Sequence, residues 1–305
     1  MMNKMKKNLL IVGGSGSIGK SFLNKFSDEF NIFILDKKNL KKKNFKFNLI
    51  DIDLSKNLNN DFTKKLPDNL IVIYLVGNLK NRSLENTLVA SINDNITSLT
   101  NFLFSFKDKI IRLIFFSSIS VYGIPTYLPI DENHKINPFT DYGIQKACCE
   151  TILQSYCKQF KIPLTIIRLT QVYGIKSAYS SLPHVLVTNF KKGFNTSIKT
   201  DLNIQRDYIH IDDLVNFIKY VLKSKKNGTF NFGFGKGIKI LKLFKLTNNQ
   251  NNKKPLQTSS KKFPNSFSQY FDISKELLTY GYQPTINIES WIKIKINRKK
   301  YEKKT

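Results

Sequence analysis

Cysteine, methionine, tryptophan and arginine are all scarce in this sequence, and several of these scarcities narrow what the protein can be. Only three cysteines occur among 305 residues (Cys148, Cys149, Cys157), and none has the C-x-x-C spacing of a redox or zinc motif. A disulfide framework is therefore excluded, and the three scattered histidines, His134, His184 and His210, show no metal-ligand spacing. No apolar run approaches the ~18 residues of a membrane span. The longest runs, Leu9–Val12 and Leu70–Val76, have strand length. Basic residues precede Leu9, but its apolar run ends at Gly13, too soon for a signal-peptide core. A cytoplasmic, reduced, metal-free protein is expected.

Acidic residues are also few, 22 against 49 basic ones, giving a net charge of +27. That excess is almost all lysine, since the only arginines are Arg82, Arg112, Arg168, Arg206 and Arg298. Phosphate and base recognition favours the bidentate guanidinium, so the charge reads as solvated lysine from an AT-rich coding bias, and no nucleic-acid partner is expected. A binder of nucleic acid or an anionic membrane surface would show steeply salt-dependent binding. A hydrophobic content of 41% is too high for a disordered chain.

What is present has a rhythm. Leu9–Val12, Ile32–Leu35, Phe45–Ile50, Leu70–Val76, Ile110–Phe116 and Leu164–Leu169 are apolar and scarcely alternate, as strands buried on both faces do. Helical patterns at Ile18–Phe26, Leu84–Phe106 and Tyr142–Phe160 separate several of them. This is the pattern of an α/β fold, a doubly wound parallel (Rossmann) sheet, with a smaller C-terminal α/β part for substrate. The expected division is 1–173 and 174–305, with about 207–235 returning to the Rossmann core. Beyond Val172 loops are expected, then a helix near Leu214–Leu222, a strand near Thr229–Phe232 and helices around Ile273–Leu278 and Ile288–Ile296. The polar segment 248–262 reads as a loop and 297–305 as a frayed basic tail.

Two constellations carry chemistry. GGSGSIG follows the first strand, and Gly13, Gly14, Gly16 and Gly19 satisfy both G-x-x-G-x-x-G and G-x-G-x-x-G. Glycine there allows a tight turn, close approach of backbone to a pyrophosphate, and a helix start whose N–H groups face the anion. Asp36 ends the next strand, 20 residues beyond Gly16, where a carboxylate accepts from ribose hydroxyls and repels a 2′-phosphate; this favours NAD, with Lys37 and Lys38 arguing the other way. The second constellation is Tyr142-Gly-Ile-Gln-Lys146, whose i, i+4 spacing puts phenol and ammonium on one helix face and predicts a lowered phenol pKa. Composition alone predicts about two such Tyr-x-x-x-Lys matches, so its weight comes from its place after the fifth strand. That strand ends in FFSSISVYG, with Ser118 at its C-terminal end.

Taken in order, these motifs resemble the extended short-chain dehydrogenases/reductases, the NAD-dependent nucleotide-sugar epimerase/dehydratase group, nearly end to end. The resemblance assigns cofactor NAD to Gly13, Gly16, Ser17, Ile18, Gly19, Asp36, Asp53 and Leu54 (in IDLS), Val76, Asn95 (in DNITSL), Tyr142 and Lys146. It makes Ser118, Tyr142 and Lys146 catalytic and Ser118, Gln171, Arg206 and Lys262 substrate-binding. RLTQVYG, RDYIHIDDLV, FNFGFG and DISKELLTYGYQP match later family elements, with Gln145, Gln171, Ile175 and Leu202 departing from them. The implied mechanism has Tyr142, beside Lys146 and the positive nicotinamide, take a proton from a sugar hydroxyl held by Ser118. Arg206 would meet the nucleotide or diphosphate. The implied partners are a nucleotide-activated sugar and a second copy of the chain, through the helices around Leu84–Phe106 and Tyr142–Phe160. Structural roles are expected for Arg168, Asp207, Asp212, Asp213, Cys148 and Cys149.

Relatives that eliminate water carry acids where this chain has Ile119 and Ser120, which disfavours 4,6-dehydration. With Asp36 favouring NAD, the expectation is a nucleotide-sugar 4-epimerase. The alternatives are a 4-ketoreductase or dehydratase of the same family, or an NAD-binding protein without catalysis.

Overall fold

The structure is a computed structural model, and it describes residues 6–37, 47–56, 58, 60–77, 86–175, 181–194, 196, 200–247 and 266–302. Lys38, Lys262 and the segment 248–262 lie outside the described residues. The chain divides into two compact units. The first comprises Met1–Gly123, Lys135–Arg168 and Lys225–Phe230; the second comprises Ile124–His134, Leu169–Ser224 and Asn231–Thr305.

The first unit is built on β1 (Lys7–Val12), β2 (Phe30–Asp36), β3 (Phe47–Asp51), β4 (Leu70–Tyr74), β5 (Ile110–Ser118) and β6 (Leu164–Leu169). With β10 (Gly228–Phe232) they form a seven-stranded sheet in the order β3-β2-β1-β4-β5-β6-β10. β1 runs parallel to both β2 and β4, β2 to β3, and β4 to β5. Every residue of β4 is buried, as are Leu9–Val12 of β1, which is why these runs do not alternate. Strand order reverses between β1 and β4, and in open α/β sheets the ligand crevice opens beyond the carboxyl ends at that point.

Helices close both faces. α1 (Ser17–Phe26) stacks Phe22 against Phe26 and Phe116. α2 (Asn86–Ile92) passes through a π-helical turn, Asn93–Thr97, into α3 (Ser98–Phe106). Leu99, Phe102, Leu103 and Phe106 of α3 join Leu153 and Cys157 of α4 (Asp141–Gln159) in one core with Val72, Tyr74, Leu113 and Phe115. Arg112, buried in β5, donates to Lys226 O at 3.0 Å and so ties the sheet to the segment leading into β10.

The second unit contains β7 (Gln171–Tyr173), α5 (Leu182–Lys192), β8 (Gln205–Arg206), β9 (Tyr208–His210), α6 (Ile211–Lys223), β11 (Ile238–Lys239), α7 (Ile240–Thr247), α8 (Ser274–Tyr280) and α9 (Ile288–Glu302). β7 pairs with β9 in parallel and β8 with β11 antiparallel. α5 and α7 stand where the sequence reads as loop. Pro183 marks α5 as a break, yet it sits in the first helical turn, where the missing N–H is harmless, and Gly193 closes the helix in the left-handed region. α7 is eight residues long, but Ile240, Leu243, Phe244 and Thr247 recur at helical spacing and are buried. α9 continues to Glu302, past the expected fraying point at 297. Leu202, a departure from the family pattern, is a core residue here, and its carbonyl accepts from Leu241 N at 2.8 Å.

The aspartates of RDYIHIDDLV brace this unit. Asp213 accepts from Tyr282 Oη (2.9 Å), Thr285 N (3.1 Å) and Ile286 N (2.9 Å). Asp207 accepts from Phe234 N (3.0 Å) and Gly235 N (3.2 Å). The cap of α6 is His210, whose Nδ1 accepts from Asp212 N at 3.2 Å.

Glu276 in α8 is fully buried, and among the described residues neither of its carboxyl oxygens has a hydrogen-bond partner outside Glu276 itself. Burial, followed by the charges of Glu132, Asp272 and Asp207, pushes its carboxyl up to about 9. A proton held more tightly in the folded than in the unfolded chain stabilises below the unfolded pKa, and that contribution is lost as pH rises through about 9. Urea denaturation of the wild type should therefore show stability falling between pH 6 and pH 9, and Glu276→Gln should lose ~3–4 kcal/mol less over that interval. Equal losses in the two proteins would contradict this.

Candidate active site

Beyond β1 the chain turns sharply at Gly13, whose φ of +79° is left-handed and whose N–H donates to Leu35 O at 2.8 Å. A Cβ on Gly19 would lie 2.5 Å from Gly14 O, so the first turn of α1 packs directly on the turn backbone. Packing also accounts for Gly14, where a Cβ would lie 2.8 Å from Ile34 Cγ2. At Gly16, among the described residues beyond its chain neighbours, such a Cβ would meet Gly13 O at 3.2 Å and nothing else within 4 Å, so they leave the outer side of this residue open. Gly16 is also the N-cap of α1 and supplies no side-chain cap, which leaves the first-turn N–H groups of Ser17 and Ile18 for an anion. These residues fit a dinucleotide pyrophosphate.

The residues expected at the adenosine end lie at the ends of β2 and β3. Asp36 closes β2 and takes a hydrogen bond from Ser15 N (2.9 Å), which links its carboxylate to the glycine turn. Asp53 is engaged by Ser55 N (3.1 Å) and the Ser55 hydroxyl (2.6 Å). Burial works to raise the Asp53 carboxyl, but the Ser55 bonds and the charges of Lys37 and Lys56 outweigh it and hold the group below its usual range. Leu54 is buried, and its carbonyl accepts from Asn101 Nδ2 at 2.8 Å. Lys37 Nζ meets Asp94 Oδ1 at 2.6 Å. Asn95 sits buried on the π-helical turn and donates to Gln145 Oε1, while Gln145 Nε2 donates to Ser91 Oγ at 2.8 Å. Gln145, unusual for the family, thus fastens the turn carrying Asn95 to α4.

The residues expected at the reacting end are carried by α4 and the end of β5. Thr140 caps it by accepting from Gly143 N at 3.1 Å. Gly143 has to be glycine, because a Cβ there would lie 2.5 Å from Ser120 O. Tyr142 and Lys146 converge on Gly77, just past β4: a Cβ at that glycine would lie 3.1 Å from Lys146 Nζ and 3.6 Å from Tyr142 Oη. Lys146 Nζ donates to Val76 O (3.1 Å) and Phe116 O (2.8 Å) and stands 4.6 Å from the Phe115 ring centroid. Ser118 Oγ caps the following turn by accepting from Ser120 N at 3.1 Å.

Electrostatics at this end differ from what the spacing predicts. Burial, with Cys149 adding to it, raises the Tyr142 phenol well above its ordinary value, and burial lowers Lys146 to about 8. Desolvation of both groups outweighs their proximity, because the ammonium is directed at two backbone carbonyls.

Sequence reasoning did not find the brace behind these groups. Glu150, one turn beyond Lys146, takes Arg168 Nη2 at 2.7 Å and Nε at 3.1 and 3.2 Å, and also accepts from the Ser117 hydroxyl. Arg168 Nη1 donates to Tyr122 Oη at 2.8 Å. The i, i+4, i+8 series Tyr142, Lys146, Glu150 was the available signal.

Gln171 and Arg206 belong to the second unit. Gln171 is exposed on β7. Arg206 Nη1 donates to Phe267 O, with its guanidinium 5.4 Å from the Phe267 ring centroid. Lys262 is outside the described residues.

Comparison with known proteins bears on this arrangement. Residues 9–233 match the model of the NAD dependent epimerase/dehydratase family. A putative UDP-glucose 4-epimerase of Methanocaldococcus jannaschii is 27% identical over 308 residues, covering 97% of this chain and 100% of that protein. Among solved structures, the UDP-glucose 4-epimerase of Thermotoga maritima with UDP-glucose superposes with a TM-score of 0.83 at 21% identity, covering 97% of this chain and 99% of the other. The Bordetella bronchiseptica enzyme WbmG in complex with NAD gives 0.81 at 19% identity, covering 98% and 96%. These two structures share the fold. With the glycine turn, Asp36 and the Tyr142/Lys146 pair all inside the matched span, the chain belongs to the NAD dependent epimerase/dehydratase family.

Proposed function

We propose that this protein is a nucleotide-sugar 4-epimerase that uses NAD and interconverts epimers without net redox change. The observation that carries this reading is the convergence of Tyr142 Oη and Lys146 Nζ at Gly77, on the carboxyl-end side of β4 where strand order reverses, with Ser118 ending β5. Positions 119 and 120 hold Ile and Ser, so an acid–base pair for dehydration is missing there. The Methanocaldococcus and Thermotoga relatives carry UDP-glucose 4-epimerase names, which favours a UDP-sugar among the nucleotide sugars.

Gly13, Gly16, Ser17, Ile18 and Gly19 hold the pyrophosphate, Asp36, Asp53 and Leu54 the adenosine, and Val76, Asn95, Tyr142 and Lys146 the nicotinamide half. NAD bound there supplies a reversible hydride acceptor for the carbinol carbon of the sugar. Tyr142 Oη takes the hydroxyl proton and later returns it, and Ser118 Oγ fixes the direction of that oxygen. Buried as it is, the phenol holds its proton, so Lys146 has to offset that tendency. Two of the three Nζ–H bonds go to Val76 O and Phe116 O, leaving one for the site. Arg206 and Lys262 hold the nucleotide diphosphate, and Gln171 also binds the substrate. The guanidinium of Arg206 keeps donors beyond the one given to Phe267 O.

A homodimer in the cytoplasm completes the reading. Val89 on α2, Phe104 on α3 and Ile144 on α4 are large apolar side chains left exposed, Phe104 by 71%. Among the described residues no helix is long and apolar enough to cross a membrane.

Incubation with UDP-, dTDP-, CDP- and GDP-sugars should give epimer interconversion without added NADPH, whereas turnover only with stoichiometric NADPH consumption would overturn the assignment. Tyr142→Phe should lower kcat by about 10³-fold and Ser118→Ala by about 10²-fold, with NAD binding kept. Light scattering should report a dimer, and Phe104→Glu should shift it toward monomer.

A further inference from the structure

Lys37 follows Asp36 directly, and a lysine at that place could in principle pair with a 2′-phosphate on the adenosine ribose. Its surroundings in the structure point the other way. Lys37 Nζ lies 2.6 Å from Asp94 Oδ1, and the charges of Asp94, Asp53 and Asp36 all act on it. Its ammonium is therefore matched by protein carboxylates, and among the described residues Asp36, Asp53 and Asp94 outnumber Lys37 and Lys56 there.

The π-helical turn explains how Asp94 reaches it. Within Asn93–Thr97 the wider winding re-phases consecutive side chains, so that Asn95 is buried against Gln145 while Asp94 meets the end of β2. Asn95 is held a second time through its carbonyl, which accepts from Cys149 Sγ at 3.5 Å. The turn cannot rotate Asp94 away without breaking these buried bonds.

We propose that Asp94 is a specificity-determining residue of the cofactor site: by pairing with Lys37 it withholds the lysine that directly follows Asp36 and favours the unphosphorylated ribose of NAD over NADP. This rests on NAD occupying the glycine turn and Asp36, and it is independent of which sugar is turned over or whether the reaction is an epimerisation.

Binding of NAD and NADP to the full chain, measured by calorimetric titration, tests it without any assay of activity. Asp94→Asn should tighten NADP about three- to tenfold, the size of effect expected from freeing one partly exposed ion-pair partner, and change NAD less than about twofold. Lys37→Ala alone should leave the NADP/NAD ratio unchanged, and adding it to Asp94→Asn should abolish the gain. The proposal is overturned if Asp94→Asn leaves the ratio where it was, if it weakens both nucleotides equally, or if the double variant keeps the gain. Should Asp94→Asn fail to fold, Asp94→Ser carries the same expectations. Failure of these outcomes alongside normal NAD binding would leave the epimerase reading untouched, and failure of NAD to bind at all would sink both.

Discussion

The first unit is organised around one buried ammonium. Lys146 Nζ, lodged between the carbonyls of Val76 and Phe116, joins the carboxyl ends of two neighbouring parallel strands to the helix that packs over them. Parallel strands end with carbonyls that the ladder no longer satisfies, and a buried charge needs partners to offset its desolvation, so each deficit answers the other. One helical turn later Glu150 adds an opposite charge, and Arg168 meets that carboxylate in a forked contact. Ser117, beside Ser118, bonds the same carboxylate. The positions of Ser118 and Lys146 are thus tied to a buried polar chain rather than to loops.

In the second unit the same economy of charge is applied to backbone. Asp207 and Asp213 each accept from several N–H groups of segments remote in sequence, near positions 234, 271, 285 and 286. Such carboxylates act as hubs for irregular chain that no helix or sheet would satisfy. Within RDYIHIDDLV, Asp207 and Asp213 therefore hold the fold, and Arg206 is the residue proposed for ligand chemistry. In a chain with five arginines, two more, Arg112 and Arg168, are spent on buried structural contacts.

The six strands of the first unit and the helices Ile18–Phe26 and Tyr142–Phe160 were legible because burial on both faces leaves continuous apolar runs and because glycine and aspartate punctuate their ends. Less legible was whatever depends on contacts across the chain. α5 hid behind Pro183, and α7 behind its shortness and its lysines. The glycine at 143 could be read as part of a motif, but its cause, the nearness of Ser120 O, needs coordinates. Spacing placed Tyr142 and Lys146 on one face correctly, yet it could not weigh burial against attraction, and so gave the wrong sign for the phenol. Gln145 and Leu202 looked like erosion of a pattern; one fastens Asn95 and the other fills a core.

The π-helical turn also governs how this chain can tolerate insertions and deletions. An α-helix advances about 100° per residue and a π-helix, with i→i+5 bonding, only about 80°, so the five residues Asn93–Thr97 turn the chain about as far as four α-helical residues would. Removing one of them and restoring regular winding would keep the stripe Leu99, Phe102, Leu103 and Phe106 in phase with the sheet. What it would displace is the pairing of Asp94 with Lys37 and of Asn95 with Gln145, so the core can spare the extra residue and these polar contacts cannot.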